Sequence, residues 1–200
     1  MPTFAEARST LEGSIAIARR DPKADRFFDL SADAFWRSFG AIMFIAPVYL
    51  IFVLAEARMA AELVTEPAAP LPGMGVLLVS EMVTLGLDWI AYPLAMYFIT
   101  RQFGLGARFV AYIIVYNWSS LLVALVMAPP FLLYAAGFLP AELTVLLNLM
   151  TVIAVLWYRW LLATEILGAP GMTAAGFVAL DVVLSLFINL SIAAALVSPA

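Results

Sequence analysis

The sequence predicts an all-α polytopic membrane protein: a bundle of five transmembrane helices with an N-terminal amphipathic cytoplasmic helix. Of the 200 residues, 65% are hydrophobic and only 12% are charged, so water is not the main solvent of this chain. Five apolar runs are each long enough to cross a hydrocarbon core of about 30 Å. The lysine and arginine residues fall almost entirely on one side of a five-span arrangement, which is typical of a multi-pass protein.

The predicted transmembrane domain covers residues 34–200, and residues 1–33 form a separate cytoplasmic segment. The five spans of the transmembrane domain cover residues 34–59, 75–101, 107–128, 141–166 and 172–197. Residues 60–74 are rich in proline and alanine, which predicts an irregular loop. Pro47 is expected to bend the first span, and the pair Pro129-Pro130 is expected to end the third. Aromatic and basic side chains near the end of the fourth span indicate an interfacial belt: Trp157, Tyr158, Arg159 and Trp160.

The N-terminal segment is predicted to contain an amphipathic helix over residues 3–20. Apolar residues recur there at steps of three or four: Phe4, Ala7, Leu11, Ile15 and Ala18. Four basic residues follow: Arg19, Arg20, Lys23 and Arg26. This helix either lies on an anionic leaflet or packs as a short soluble helix over the end of the bundle.

The basic residues also predict the orientation. Arg58 lies alone on one side of the five-span arrangement, and all the others lie on the opposite side. The positive-inside rule therefore predicts a cytoplasmic N-terminus and an outside C-terminus in a bacterial cytoplasmic membrane.

The second span carries Glu81 and Asp88, two carboxylates seven residues apart on one helical face. A carboxylate at membrane depth costs roughly 2.5–3.5 kcal/mol on insertion scales, so it normally faces the interior of a bundle. We therefore expect the second span to lie at the centre. Polar residues at helical spacing on the other spans, among them Asn117, Asn148 and Ser185, reach a similar depth and could meet Asp88.

Asp88 and Asp181 have no basic residue at comparable depth. They are either protonated at neutral pH or hold a cation or ordered water. This suggests a proton- or cation-binding site formed by Asp88 and Asp181 with help from Asn117 and Asn189. Glu81 joins such a site only if the site opens towards the outer surface. In the alternative interpretation the polar residues form ordinary interhelical hydrogen bonds, and Arg37 or Arg159 reaches Asp181 as a structural partner.

Two short motifs resemble the bacterial branch of the Yip1-like membrane proteins. They are Phe35-Trp36-Arg37-Ser38-Phe39 at the start of the first span and Tyr116-Asn117-Trp118 inside the third. The resemblance covers the chain from about residue 27 onward. It implies a five-span fold and its topology, and it implies no reaction.

The composition restricts the possible functions. Cysteine and histidine are absent, which removes thiol nucleophiles, most zinc sites and serine–histidine–aspartate triads. We therefore expect no cofactor and no metal. We also expect no enzyme activity, since the third alternative, a membrane enzyme, would have to rely on carboxylates and hydroxyls alone. No basic face suits nucleic acid. The leading interpretation is a non-enzymatic protein that organises lipid, or a protein partner, through residues 1–33 and its lateral helix faces. The alternative is a small transporter or channel subunit, as a homo-oligomer, with the Asp88/Asp181 site.

Overall fold

The computed structural model describes residues 2–63 and 73–197 and confirms the all-α fold class. These parts of the chain contain no β-strand. Their α-helices are α1 (Phe4–Ala18), α2 (Ala32–Ser38), α3 (Ile42–Leu63), α4 (Met74–Gln102), α5 (Phe109–Ala135), α6 (Ala141–Glu165) and α7 (Gly171–Val197). Short 3₁₀ turns lie at Ala24–Phe27, Phe39–Ala41 and Gly106–Arg108.

Five helical segments are long and apolar enough to cross a membrane. They are Ala32–Leu63, Met74–Gln102, Gly106–Ala135, Ala141–Glu165 and Gly171–Ala195. The first combines α2, a 3₁₀ turn and α3. These segments agree with the predicted number of spans. Most of their boundaries lie within a few residues of the predicted ones, and the largest difference is at the end of the third.

The third span does not end at the proline pair as predicted, because α5 continues through Pro129 and Pro130 to Ala135. Proline removes a backbone hydrogen bond from a helix interior, which normally breaks the helix. Here the helix beyond the prolines packs against α3: Phe131 lies 4.8 Å from Phe52 between ring centres, and both rings are buried. Burial of this last turn therefore outweighs the local cost of the prolines.

The first span is irregular one turn and a half before Pro47. The α-helix gives way to a 3₁₀ turn at Phe39–Ala41, and α3 then runs through Pro47 without interruption. The indole Nε1 of Trp89 donates to the Phe39 carbonyl at 2.9 Å. Residues 60–63 of the loop predicted at 60–74 belong to α3, and Met74 begins α4; residues 64–72 lie outside the described part of the chain.

The central helix is α5, which corrects the expectation that the second span lies at the centre. Every residue from Tyr112 to Ser120 is buried, because α5 contacts α1, α2, α3, α4 and α6. By contrast, α4 exposes large apolar side chains along most of its length. A carboxylate needs only one covered side and a polar partner, so Asp88 and Glu81 do not force α4 into the centre.

Helix α1 packs against α5 and α6 at one end of the bundle. Its buried face is made of small or short side chains, among them Ala7, Thr10, Gly13, Ser14 and Ile17. Small residues let helix backbones approach closely. The predicted apolar stripe is therefore wrong at two of its five positions, since Phe4 is 85% exposed and Ile15 is 36% exposed, whereas Ala7 is buried. The docked position agrees with the alternative in which this helix packs over the end of the bundle.

Candidate polar site inside the bundle

Polar side chains from four helices meet between α4, α5, α6 and α7. The residues involved are Asp88 and Tyr92 on α4, Tyr112 and Tyr116 on α5, Arg159 on α6, and Asp181 and Ser185 on α7. All of them lie within spans, where an unpaired polar group is costly because no water satisfies it.

Tyr116 occupies the middle of this cluster. Its hydroxyl donates to Asp181 Oδ2 at 2.6 Å. The ring of Tyr92 stacks on the ring of Tyr116 with 4.6 Å between centres, and the hydroxyls of Tyr92 and Tyr112 are hydrogen bonded at 2.7 Å. The three tyrosines thus form one packed aromatic group. One of its hydrogen bonds links it to Asp181, and the other joins Tyr92 to Tyr112 within the group.

Arg159 is buried on the other side of Tyr116, with only 8% of its surface exposed. Its guanidinium carbon lies 3.8 Å from the centre of the Tyr116 ring, a cation–π contact. The guanidinium also donates to the Tyr116 carbonyl at 3.1 Å, to Ser119 Oγ at 3.1 Å and to Ser120 Oγ at 2.7 Å. A buried cation is therefore held by neutral acceptors and an aromatic face.

This position corrects the predicted interfacial belt. Arg159 lies six residues before the end of α6, about 9 Å inside the helix at 1.5 Å per residue. Tyr158 is buried as well, and its hydroxyl donates to the Ser14 carbonyl of α1 at 3.1 Å. Trp157 is exposed, and Trp160 donates to the Gly171 carbonyl at 2.9 Å.

The sequence alternatives for a partner of Asp181 are resolved by these contacts. Arg37 does not reach it, because Arg37 pairs with Asp29 at 2.7 Å and with Glu6 at 3.4 Å. Arg159 forms no direct ion pair with Asp181 in the described chain, but both contact Tyr116, one at the ring and one at the hydroxyl. Tyr116 therefore connects the buried cation to the carboxylate.

Asp88 has a simpler environment. Its Oδ2 accepts a hydrogen bond from Ser185 Oγ at 3.0 Å. Ser185 lies four residues after Asp181 on α7, so the side chain that binds Asp88 and the side chain of Asp181 itself lie one turn apart on one face of α7. Asp88 and Asp181 are both partly exposed. The expected meeting of Asp88 with Ser185 is thus found.

The remaining predicted site residues lie in different places. Asn117 donates from Nδ2 to Ser38 Oγ at 2.9 Å, which joins α5 to α2. Glu81 accepts from the Tyr49 hydroxyl at 2.8 Å, which joins α4 to α3. Asn189 is exposed on α7 and donates to the Ser185 carbonyl at 2.9 Å. Only Asn189 therefore stays beside the two aspartates.

An open groove of about 410 Å³ runs along α7 beside the cluster. Its lining residues are Asp181, Val182, Ser185, Leu186 and Asn189. In the described chain, no group of three or more acidic side chains is arranged to hold a metal ion. The groove instead brings polar groups to the lateral surface of the bundle.

Helix α7 exposes most of its lateral surface. One line of exposed residues along it follows alternating steps of three and four: Met172, Ala175, Ala179, Val182, Leu186, Asn189 and Ala193. Two helices can pack along a line of this spacing. We call these seven residues the α7 seam. It has small side chains at Ala175 and Ala179 and a polar side chain at Asn189.

The sequence interpretation placed Arg159 at the interface, with Asp181 as one alternative partner, and gave the three tyrosines no role in the site. The spacing of Tyr112 and Tyr116 at four residues, and the depth of Arg159 within its span, are the signals that indicate them. The sequence alone could not show that Tyr92 of α4 and Arg159 of α6 both approach Tyr116.

Comparisons of the chain with protein-family models, with curated proteins and with solved structures find no match. The fold and the helices long enough to span a membrane define the class: a multi-pass, all-α protein with five candidate spans.

Proposed function

We propose that this protein acts without enzyme chemistry, by association within the bilayer, and that the α7 seam is the contact surface between two copies of the chain. The single observation that carries the proposal is the exposed polar side chain of Asn189 on the otherwise apolar α7 seam. Its amide makes one hydrogen bond, to Ser185, which leaves its carbonyl oxygen and second N–H for another group. A polar amide facing lipid is unfavourable, so a protein partner would satisfy it.

A second copy fits this surface better than an unrelated partner. Two copies inserted with the same orientation would bring two α7 helices side by side and in parallel. In parallel helix pairs, an asparagine at a seam position pairs with its equivalent and fixes the register. An interface of this kind is self-complementary, as a two-fold dimer requires. The small residues Ala175 and Ala179 allow close approach at the other end of the seam.

Engineered cysteines test the interface directly, because the chain has no cysteine of its own. Asn189→Cys should form a disulfide-linked dimer when native membranes are oxidised. Phe187→Cys is the matched control, since Phe187 is 68% exposed on α7 but lies outside the seam. Asn189→Leu should weaken dimerisation by roughly three- to twenty-fold in a fluorescence energy-transfer assay. Equal cross-linking at both positions, or none at either, would contradict the proposal.

The proposal also includes the membrane that holds the protein and the orientation of the protein in that membrane. The resemblance at residues 35–39 and 116–118 supports a bacterial Yip1-like protein of the cytoplasmic membrane. The Arg108 side chain packs against Gly168, so the α4–α5 and α6–α7 turns share one end of the bundle. Basic residues favour the cytoplasm for that end, with the C-terminus outside. A C-terminal alkaline phosphatase fusion should be active. If that fusion is inactive and a C-terminal green fluorescent protein fusion is fluorescent, the C-terminus is cytoplasmic and the proposed orientation is wrong.

A small transporter or channel subunit remains the second candidate function. Asp88 favours it, because this residue has one hydroxyl partner and no cation, whereas Asp181 shares Tyr116 with Arg159. Asp88→Asn should then abolish a pH-dependent change in Tm that Asp181→Asn retains. A cysteine at Thr84, which is buried one turn from Asp88, should react with a water-soluble maleimide only if water reaches this site.

A further inference from the structure

We propose that the cleft between α2, α4 and α5 binds one anionic phospholipid, with the headgroup phosphate at Arg101 and an acyl chain in the cleft. The cleft has a volume of about 780 Å³, within the range of roughly 300–1,000 Å³ that is usual for small-molecule sites. It lies away from the α7 seam and does not depend on dimerisation.

The walls of the cleft are apolar and aromatic. Phe35, Trp36 and Phe39 form one side, and Ile90, Pro93 and Leu94 on α4 form the floor. Trp36 is 73% exposed and Leu94 is 56% exposed, so the cleft opens sideways to the membrane and not to the interior. A cleft with such walls, open at membrane depth, suits a hydrocarbon chain.

The basic end of the cleft is defined by Arg101 and the start of the third span. Ile90 and Arg101 are separated by 11 residues of α4, about 16 Å of helix. The cleft therefore extends from the end of the span towards the middle of one leaflet. Arg101 lies in the last turn of α4, at the end of a segment long enough to span the membrane, where lipid headgroups are expected.

The charge of Arg101 is not neutralised by the protein. Its guanidinium lies 4.0 Å from the centre of the Tyr97 ring. Among the described residues, the ion pairs join other groups: Arg8 with Glu12, Arg37 with Glu6 and Asp29, and Arg58 with Glu62. A phosphate at this position would gain a charge-assisted hydrogen bond. Basic pockets between transmembrane helices commonly bind anionic headgroups in this way.

Charge complementarity favours a lipid over a second copy of the chain as the occupant. A second copy would bring a mainly apolar helix surface to the cleft, which does not pair with the charge of Arg101. An anionic phospholipid supplies both the chain that fills the cleft and the phosphate that pairs with the arginine.

Native mass spectrometry of the full chain tests this assignment, with the protein released from nanodiscs that contain phosphatidylglycerol and phosphatidylcholine in equal amounts. The wild-type protein should retain one phosphatidylglycerol in preference to phosphatidylcholine. Arg101→Gln should reduce this preference by about five-fold. Arg26→Gln is the matched control, because Arg26 is an exposed arginine that also lies over an aromatic ring, that of Phe27, outside the cleft.

A second variant tests the cleft without changing charge. Val110→Trp should fill the cleft and reduce retention of both lipids, whereas Val79→Trp on an exposed part of α4 outside the cleft should not. Unchanged preference in Arg101→Gln, or an equal loss in Arg26→Gln, would overturn the proposal in favour of diffuse surface attraction. A cysteine at Leu94 that cross-links two copies would also overturn it, because the cleft would then be a protein interface.

Discussion

The hydroxyl of Tyr116 lies 2.6 Å from Asp181 Oδ2, which joins the central helix α5 to the peripheral helix α7. The same tyrosine supports the buried guanidinium of Arg159 on its ring and with its carbonyl. One residue therefore lies between a cation and a carboxylate that belong to different helices. Four predictions follow from this contact and from others at the end of the bundle where α1 packs.

Tyr116→Phe should lower the free energy of unfolding by roughly 1–2 kcal/mol, because Asp181 loses its hydrogen-bond donor inside the bundle. The stacking of the ring on Tyr92 and Arg159 is retained. Reversible unfolding in mixed micelles measures the change. Tyr97→Phe is the control, since Tyr97 is partly exposed and its hydroxyl lies outside the polar cluster. An equal loss in both variants would show that the Asp181 contact contributes nothing specific.

Arg159 and Asp181 should be energetically coupled through Tyr116. Arg159→Met removes a buried cation with its hydrogen bonds, and Asp181→Asn removes the charge but keeps an acceptor for the tyrosine hydroxyl. The double variant should be less destabilised than the sum of the single variants by about 0.5–3 kcal/mol. Additive changes in the free energy of unfolding would mean that Arg159 and Asp181 are not energetically coupled. The same cycle with Asp88→Asn in place of Asp181→Asn is the comparison, and we expect smaller coupling there.

Gly13→Ala should destabilise the protein by about 1–3 kcal/mol, because the added methyl group has no room. A Cβ at this position would lie 2.5 Å from Phe28 Cε2 and 2.7 Å from Phe27 Cβ. Gly86→Ala is the matched control: it also lies inside a helix, but a Cβ there meets nothing within 4 Å. That variant should be neutral or slightly stabilising, as alanine favours helix by up to about 1 kcal/mol over glycine.

Asp29→Asn should lower Tm by a few degrees at most at pH 6, and this difference should disappear in acid. The pKa of the exposed Asp29 carboxyl is held below its ordinary value of 3.8 by the Ser31 backbone N–H, then by the Ser31 hydroxyl and Arg37. A lowered pKa in the folded state means that the stabilisation is complete above 3.8 and is lost as the pH falls through the lower, folded value. Thermal unfolding from pH 6 to pH 2.5 measures the effect.

Asp25→Asn is the control for this pH dependence, because Asp25 is an exposed acid close in the chain whose side chain lies outside the Arg37 ion pairs. It should show no difference from the wild type at either end of the range. A loss in Asp29→Asn that persists at pH 2.5 would contradict the electrostatic explanation.

The number and approximate bounds of the spans were predictable because hydrophobic length is a property of the chain alone. The extension of α5 past Pro130 was not predictable, since it depends on Phe131 packing against Phe52 of another helix.

The polar site was predictable only in part. Asp88 and Ser185 could be placed at similar depth by counting residues, and they do meet between α4 and α7. The partner of Asn117 could not be inferred, because Ser38 lies 79 residues away in the chain. The buried state of Arg159 was also missed, because the acceptors that satisfy it belong to α5 and not to its own helix.

The hydrogen bond from Tyr158 to Ser14 joins residues separated by 144 positions. At translation rates of roughly 5–20 residues per second, the ribosome needs about 7–30 s to make the later residue after the earlier one. During that interval the part of the α1 docking surface that α6 supplies has not yet been made. The helix that is synthesised first therefore completes its contacts only after most of the chain has left the ribosome.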